Sequence, residues 1–240
     1  MVKRSRLKFR LLIIISVVFI SLLIIQKGTA IAQREVKFEL EVPKTALIVI
    51  DMQNDFVRKG GAGYVPDAIK TVGNIQALIE FCRGRKIPIF FTKFILGPVK
   101  TVYNEYYYGA VAQNMCKRGS KRFYPDVQKE LDTPEIIDEL RPQPEDIIIE
   151  KYGLDSFVDT PLNTFLQVLG MKNVILTGTV TDACVNATAI GAWHHNYHVV
   201  VITDAISGVV PERDEWTLKS LPVRYGKLMT TAQVIKELTK

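Results

Sequence analysis

Histidine is nearly missing from this chain of 240 residues: there are three, His194, His195 and His198, and none before them. They fall at the end of one helical segment and the start of the next strand, with no carboxylate at zincin spacing. That pattern argues for a surface or helix-terminus role and against a metal site. Cysteine is equally sparse, with Cys82, Cys116 and Cys184 alone. An odd count leaves either one thiol over or none paired, and the absence of any C-x-x-C speaks against a disulfide-exchange protein. Cys82 and Cys116 could pair if the fold brings them together, whereas Cys184 is expected to be free. The chain also lacks internal repeats, low-complexity tracts and any linker that would announce a second folded domain.

A balance of charge is missing from the first 32 residues, which carry six of the 31 basic residues and no acidic one. Lys3, Arg4, Arg6, Lys8 and Arg10 form a basic region, residues 11–25 are apolar apart from Ser16 and Ser21, and Ala30-Ile31-Ala32 has the A-x-A form of a cleavage site. The pattern predicts an export signal, giving a periplasmic or extracellular protein. The alternative is an uncleaved membrane anchor through residues 11–25. Without that segment 25 basic residues face 25 acidic ones, so the sequence pI of about 9.1 belongs to the signal. No basic stripe interleaved with aromatics remains, which excludes a nucleic-acid partner. Residues 33–240 are enough for one domain with a large core.

What is present is a regular alternation of apolar runs and helical patterns. Unalternated runs at residues 46–51, 87–94, 147–150, 174–177, 198–202 and 227–230 read as buried parallel strands. Helical spacing follows at 66–85, 157–169, 182–195, 211–224 and from 232 onward. Residues 95–124 have no periodicity and hold Tyr103, Tyr106, Tyr107 and Tyr108, while 125–140 read as turns and short helices. Repeated βα units of this kind predict an α/β fold, a three-layer doubly wound parallel sheet of six strands with helices on both faces.

Three groups of complementary chemistry then stand at one rim of that sheet. The first strand ends in Asp51 and the third in Lys151. After the fourth strand Gly178 breaks the run, Asp182 reads as an N-cap, and Cys184 sits in the first turn of a helix rich in small residues. A helix N-terminus and a nearby ammonium both favour a thiolate, so the Cys184 thiol is expected to ionise below its ordinary value. An aspartate to move the proton, a lysine to hold the charge and a thiol to attack make a consistent nucleophilic site.

At these residues the chain resembles the isochorismatase-like cysteine hydrolases, in particular their amidohydrolases for ureidoacrylate, biuret and N-carbamoylsarcosine. The resemblance rests on ALIVIDMQNDFV (46–57), EKYGLDSFVDTPL (150–162) and LTGTVTDACVNATAIGA (176–192), followed by Asp204-Ala205. It implies the strand order 3-2-1-4-5-6, with Asp51 as general base, Lys151 as the cation and Cys184 as the nucleophile. It also implies a cis peptide between Thr179 and Val180, an oxyanion hole from the N–H groups of Val180 and Cys184, and substrate contacts from Gln53, Phe56 and Thr179. In that strand order Lys151 must reach across the second strand to meet Asp51. Nicotinamidases of the family carry metal-binding histidines around the second strand, where this chain reads FTKFILGP (91–98), so neither a metal nor another cofactor is expected. The implied reaction is hydrolysis of a C–N bond in a small amide, ureido or carbamoyl compound by a homo-oligomer. A vinyl-ether hydrolase of the isochorismatase type and a catalytically silent, membrane-tethered binding domain are the alternatives.

The export signal generates the first prediction. Protein isolated from its native host should begin at Gln33 on N-terminal sequencing, and an intact Met1 in the membrane fraction would instead establish an anchor.

Overall fold

The run TALIVI forms β1 (Thr45–Ile50), buried at every residue, as a strand covered on both faces must be. Around it the computed structural model, which describes residues 37–97, 99 and 114–240, sets β2 (Ile89–Phe94), β3 (Lys121–Tyr124), β4 (Lys129–Asp132), β5 (Ile147–Lys151), β6 (Asn173–Thr179), β7 (His198–Ser207) and β8 (Gly226–Met229). Six of these form one sheet in the order β5-β2-β1-β6-β7-β8, every neighbouring pair parallel. With β3 and β4 left aside, this is the 3-2-1-4-5-6 order that the motifs imply.

Among the described residues six helices accompany the sheet: α1 (Asn54–Val57), α2 (Ala68–Gly84), α3 (Leu162–Val168), α4 (Asn186–His194), α5 (Pro211–Arg224) and α6 (Thr231–Glu237). Because successive side chains of a strand point to opposite faces, β1 serves two cores. Leu47 and Val49 pack with Val72, Ile75 and Leu78 of α2 and Val234 of α6. Ala46, Ile48 and Ile50 pack with Leu166 of α3, Ala189 of α4 and Leu221 of α5. The result is three layers with α2 and α6 on one side and α3, α4 and α5 on the other.

The structure corrects several expectations. Residues 121–132 form an antiparallel hairpin, β3 with β4, where loop and short helix were expected. Only Tyr124 of its eight strand residues is buried, so no apolar period marks it. The helix expected at 157–169 is confined to Leu162–Val168 with Pro161 at its N-cap. Asp182 is no N-cap: the cap position is Val180, without a side-chain cap bond, and Asp182 lies inside a π-helical turn, Thr181–Val185. Cys82 and Cys116 are buried free thiols and form no disulfide. Among the described residues no helix is long and apolar enough to cross a membrane. The proposed signal in residues 1–32 and the tyrosines at 103–108 lie outside the described residues.

Gly178 shows how closely the central strands approach. It lies opposite Ile50 at φ +106°, and a Cβ there would come within 2.0 Å of the Ile50 carbonyl oxygen. Gly178→Ala should therefore cost roughly 3 kcal/mol or more, from overpacking and a disfavoured φ together. Urea unfolding tests this, and a wild-type midpoint would be incompatible with such an approach.

Candidate active site

Asp51 follows β1 directly and turns the chain with a left-handed φ of 51°, a conformation that costs an ordinary residue about 1–2 kcal/mol. Its surroundings hold it there. Its backbone N–H meets the carbonyl and the hydroxyl of Thr92 at 3.3 and 3.1 Å. Its own carbonyl accepts the Gln53 N–H at 2.8 Å and the Thr179 hydroxyl at 3.2 Å. The Thr92 hydroxyl in turn donates to Oδ1 of the Asp51 carboxylate at 2.6 Å, which fixes the rotamer and leaves Oδ2 for another partner.

That partner comes from β5. Lys151 is the last residue of the strand, in register with Phe94 of β2, and its Nζ lies 5.5 Å from the centre of the Phe94 ring. The side chain thus crosses the end of β2 along an aromatic face. Nζ then meets Asp51 Oδ2 at 2.7 Å, Cys184 Sγ at 3.3 Å and the Gly153 carbonyl at 3.0 Å. Three acceptors match the three donors of an ammonium. Lys151 is fully buried, and burial alone would lower its pKa. The charge of Asp51, with the hydrogen bonds to Asp51 and Cys184, outweighs that and raises it above the ordinary lysine value.

Cys184 sits in the π turn that leaves β6, after a cis peptide between Thr179 and Val180. The Val180 carbonyl accepts the N–H groups of Ala183 and Val185, both at 3.1 Å, on either side of Cys184. The turn and the segment after Lys151 are locked together. The Ser156 N–H and hydroxyl both meet Thr188 Oγ1, at 3.1 and 2.9 Å, and the Asp155 carboxylate lies where a Cβ on Gly191 of α4 would be, 2.3 Å from that position. The spacing of Lys151 and Cys184 is therefore set by α4 against the 152–156 segment.

The acidity expected of the thiol is overturned. Burial, reinforced by Asp51, pushes Cys184 up to about 12, and Lys151 opposes this only in part. A helix start seen in sequence suggested exposure to dipole and solvent, whereas the thiol is almost completely enclosed, with the residue 3% exposed. The resting arrangement is a carboxylate, an ammonium and a neutral thiol.

The remaining candidates fall into two groups. Thr179 supports Asp51 directly. The Gln53 amide is spent elsewhere: Nε2 donates to the carbonyls of Phe94 and Pro134 at 2.9 and 2.8 Å, and Oε1 accepts the Phe94 N–H at 2.8 Å. It stitches β2 to the 133–137 segment. Phe56 is buried with its ring edge-on to Phe94, 6.3 Å between centroids. Sequence reasoning missed Thr92 and Asp55. Asp55 is completely buried and collects the Cys116 N–H at 2.9 Å, Arg122 Nε at 2.9 Å and the Tyr124 hydroxyl at 2.8 Å, so it fastens the β3 hairpin to α1. Nothing set it apart in the sequence, where it follows two other polar residues, Gln53 and Asn54. The histidines are occupied in packing: His195 stacks on Phe157 and His198 on Phe38. Among the described residues no group of three or more His, Cys, Asp or Glu side chains could hold a metal ion.

This fold and this rim define a class of doubly wound α/β hydrolase. Residues 45–233 match the isochorismatase domain family, and the chain belongs to it. A curated relative is the ureidoacrylate amidohydrolase RutB of Pseudomonas syringae pv. syringae (strain B728a), 27% identical over 201 residues, covering 78% of this chain and 80% of that one. Among solved structures, a cysteine hydrolase from Pseudomonas syringae pv. phaseolicola 1448A superposes with a TM-score of 0.76 at 25% identity, over 86% of this chain and 98% of that one. N-carbamoylsarcosine amidase from Thermoplasma acidophilum gives 0.64 at 28% identity, over 78% and 96%. The ureidoacrylate amidohydrolase and the N-carbamoylsarcosine amidase place the chain beside the amidohydrolase branch of the family.

The electrostatics of the trio give a prediction with opposite signs. Alkylation of Cys184 against pH, followed on its own peptide, should show an inflection above the ordinary cysteine value of roughly 8.5. Asp51→Asn removes a negative charge and should move the inflection down, and Lys151→Ala should move it further up. Shifts in the same direction for both variants would contradict the contacts described.

Proposed function

We propose that the protein hydrolyses the C–N bond of a small amide, ureido or carbamoyl compound through a thioester on Cys184. The observation that carries this reading is the single contact set Asp51–Lys151–Cys184, in which one ammonium bridges a carboxylate and a thiol. Because the thiol is neutral at rest, Asp51 takes its proton as Sγ attacks the carbonyl carbon, and the nearby Lys151 stabilises the sulfur charge that develops. The N–H groups of Val180 and Cys184 receive the oxyanion. The tetrahedral intermediate collapses with cleavage of the C–N bond, the leaving nitrogen collects the proton from Asp51, and ammonia departs. Water, deprotonated by the same carboxylate, then hydrolyses the thioester and restores the thiol. Thr179 and Phe56 line the substrate's approach in this reading, and Gln53 acts through the strand end that it braces.

The names of the ureidoacrylate and N-carbamoylsarcosine relatives support ureido and carbamoyl substrates over a vinyl ether, for whose cleavage a buried thiol would have no task. The basic and apolar leader supports export, with attachment through residues 11–25 as its variant form. Exposed Val168, Trp193 and Trp216 on the α3–α5 side, 81%, 46% and 64% accessible, support a homo-oligomer.

A screen of small amides, ureas and carbamoyl compounds for ammonia release tests the reaction. With a substrate found, Cys184→Ala should fall to background with its fold retained. Asp51→Asn should lose on the order of 10² to 10⁴ in turnover, the usual worth of a positioned acid-base group. Full activity in Cys184→Ala would overturn the proposal.

A further inference from the structure

Because every neighbouring pair in the sheet is parallel, all six strands start at one rim and end at the other, where Asp51, Lys151 and Cys184 meet. The starting rim gathers turns from distant parts of the chain into one continuous surface. Residues 37–44 cross it on their way to β1. The Phe38 ring stacks on His198, the first residue of β7, with 4.4 Å between centroids, and its centre lies 4.3 Å from Nζ of Lys227 in β8. The Leu40 N–H donates to Glu237 of α6 at 3.0 Å, and Arg85, in the turn before β2, donates to the Leu238 carbonyl at 3.2 Å. Before β6, the Lys172 N–H meets the Lys44 carbonyl at 2.8 Å and its own carbonyl accepts the His198 N–H at 2.9 Å.

That surface is basic. Glu39, Glu41 and Glu237 are offset in number by Lys37, Lys44 and Lys236, with Lys44 on Glu41 at 3.0 Å. Arg85, Lys86, Lys172, Arg224 and Lys227 are in excess, the first four exposed and the last half-buried. In the turn before β5, Asp146 is engaged by Arg83 at 2.5 Å, and Glu145 is the acid that remains. The opposite rim has the other sign: Asp182, Asp204, Glu212, Asp214 and Glu215 gather at the ends of β6 and β7 and the start of α5, with Arg213 among them. Residues 33–240, neutral in sum, are thus polarised along the strands. No window of the sequence shows this, because the five excess cations come from three separate turns.

We propose that the rim of strand starts is a lipid-facing surface that rests on anionic headgroups, with the rim that carries the proposed active site turned to the solution. The place where the chain joins the fold fits this partner. Lys37 enters at the basic rim, and residues 26–36 separate it from the apolar run at 11–25, a reach of at most about 40 Å even at full extension. Anionic leaflets attract basic groups beside a membrane segment, and an apolar segment with a basic patch makes a two-signal attachment. The same leaflet repels the acidic rim, which sets the orientation. A nucleic acid fits less well, since the leader directs the chain to a membrane. The contact belongs to the folded residues and is expected with the leader kept as an anchor or removed as a signal.

Lysine acetylation of the full chain by a water-soluble succinimidyl ester, read residue by residue by mass spectrometry, tests the surface. The chain is compared on vesicles of mixed phosphatidylglycerol and phosphatidylcholine and on vesicles of phosphatidylcholine alone. Lys86 and Lys172 should react severalfold more slowly on the anionic vesicles, and the difference should vanish in 1 M salt, where charges are screened beyond roughly 3 Å. Lys59 and Lys121, exposed on the opposite rim, should react alike on both, which separates a contact of this rim from binding by the leader alone. Lys172→Glu/Arg224→Glu should abolish the protection of Lys86. Lys59→Glu/Lys121→Glu, the same change of charge on the other rim, should leave it in place. Thermal melts establish that the variants fold, and Lys172→Glu alone, an exposed side chain in a turn, decides the matter if the double variant does not. Equal protection of both rims, protection indifferent to anionic lipid, protection of Lys86 unchanged in folded Lys172→Glu/Arg224→Glu, or protection by the soluble polyanion heparin but not by vesicles would overturn the proposal.

Discussion

The buried ion pair between Lys151 and Asp51, at 2.7 Å with both side chains out of solvent, is the constraint on which the site depends. Each charge would be expensive to bury alone, and removing one partner of such a pair typically costs about 3–5 kcal/mol because the other is left uncompensated. The fold meets this demand with geometry. β5 and β1 are not neighbours, so the lysine has to pass the end of β2, and Phe94 supplies the surface it passes over. Gly153 and Cys184 then complete the acceptors of the ammonium. A change in strand order or a slip of register at β5 would strand both charges.

Much of the surrounding structure serves to keep Asp51 in an uncomfortable backbone conformation. Thr92 grips both its amide and its carboxylate, the Thr179 hydroxyl and the Gln53 backbone N–H hold its carbonyl, and Gly178 admits the strand at a distance that no other residue permits. Gln53 and Asp55 extend the bracing outward. One sews the end of β2 to the 133–137 segment and the other fastens the β3 hairpin to α1. Residues in sparsely populated conformations persist where their surroundings over-determine them, and here the side chains of Thr92 and Thr179, the Gln53 backbone N–H and one glycine do so.

The sheet was legible because strands buried on both faces leave unbroken apolar runs, and the rim was legible because Asp51 and Lys151 each end such a run. The β3–β4 hairpin left no trace, since a two-stranded ribbon with one buried side chain has no pattern to show. Gln53 illustrates a second limit: its distance from Asp51 in sequence is two residues, yet its amide points along β2, a direction fixed by partners some forty and eighty positions away. The acidity of Cys184 illustrates a third. Position at a helix start is visible in a sequence and lowers a thiol's pKa, but enclosure is a property of the assembled layers, and enclosure dominates. Thr92 and Asp55 escaped notice because a threonine in a strand and an aspartate in a turn are ordinary until their partners are known.

The ammonium that touches both a carboxylate and a thiol has a further consequence, for the electrical character of the cavity. At rest the trio sums to zero, and in the proposed reaction carrying the proton from sulfur to carboxylate would leave the sum at zero while only the position of the negative charge changes. No net monopole appears or disappears, so the surrounding low-dielectric walls have little to re-polarise and mobile salt, which screens charges more than roughly 8 Å apart at physiological strength, has little to act on. Such a chamber presents no excess charge to a visitor. It suits reacting groups that are themselves neutral, as the carbonyls of ureas and amides are, and leaves the recognition of any charged tail to residues farther out.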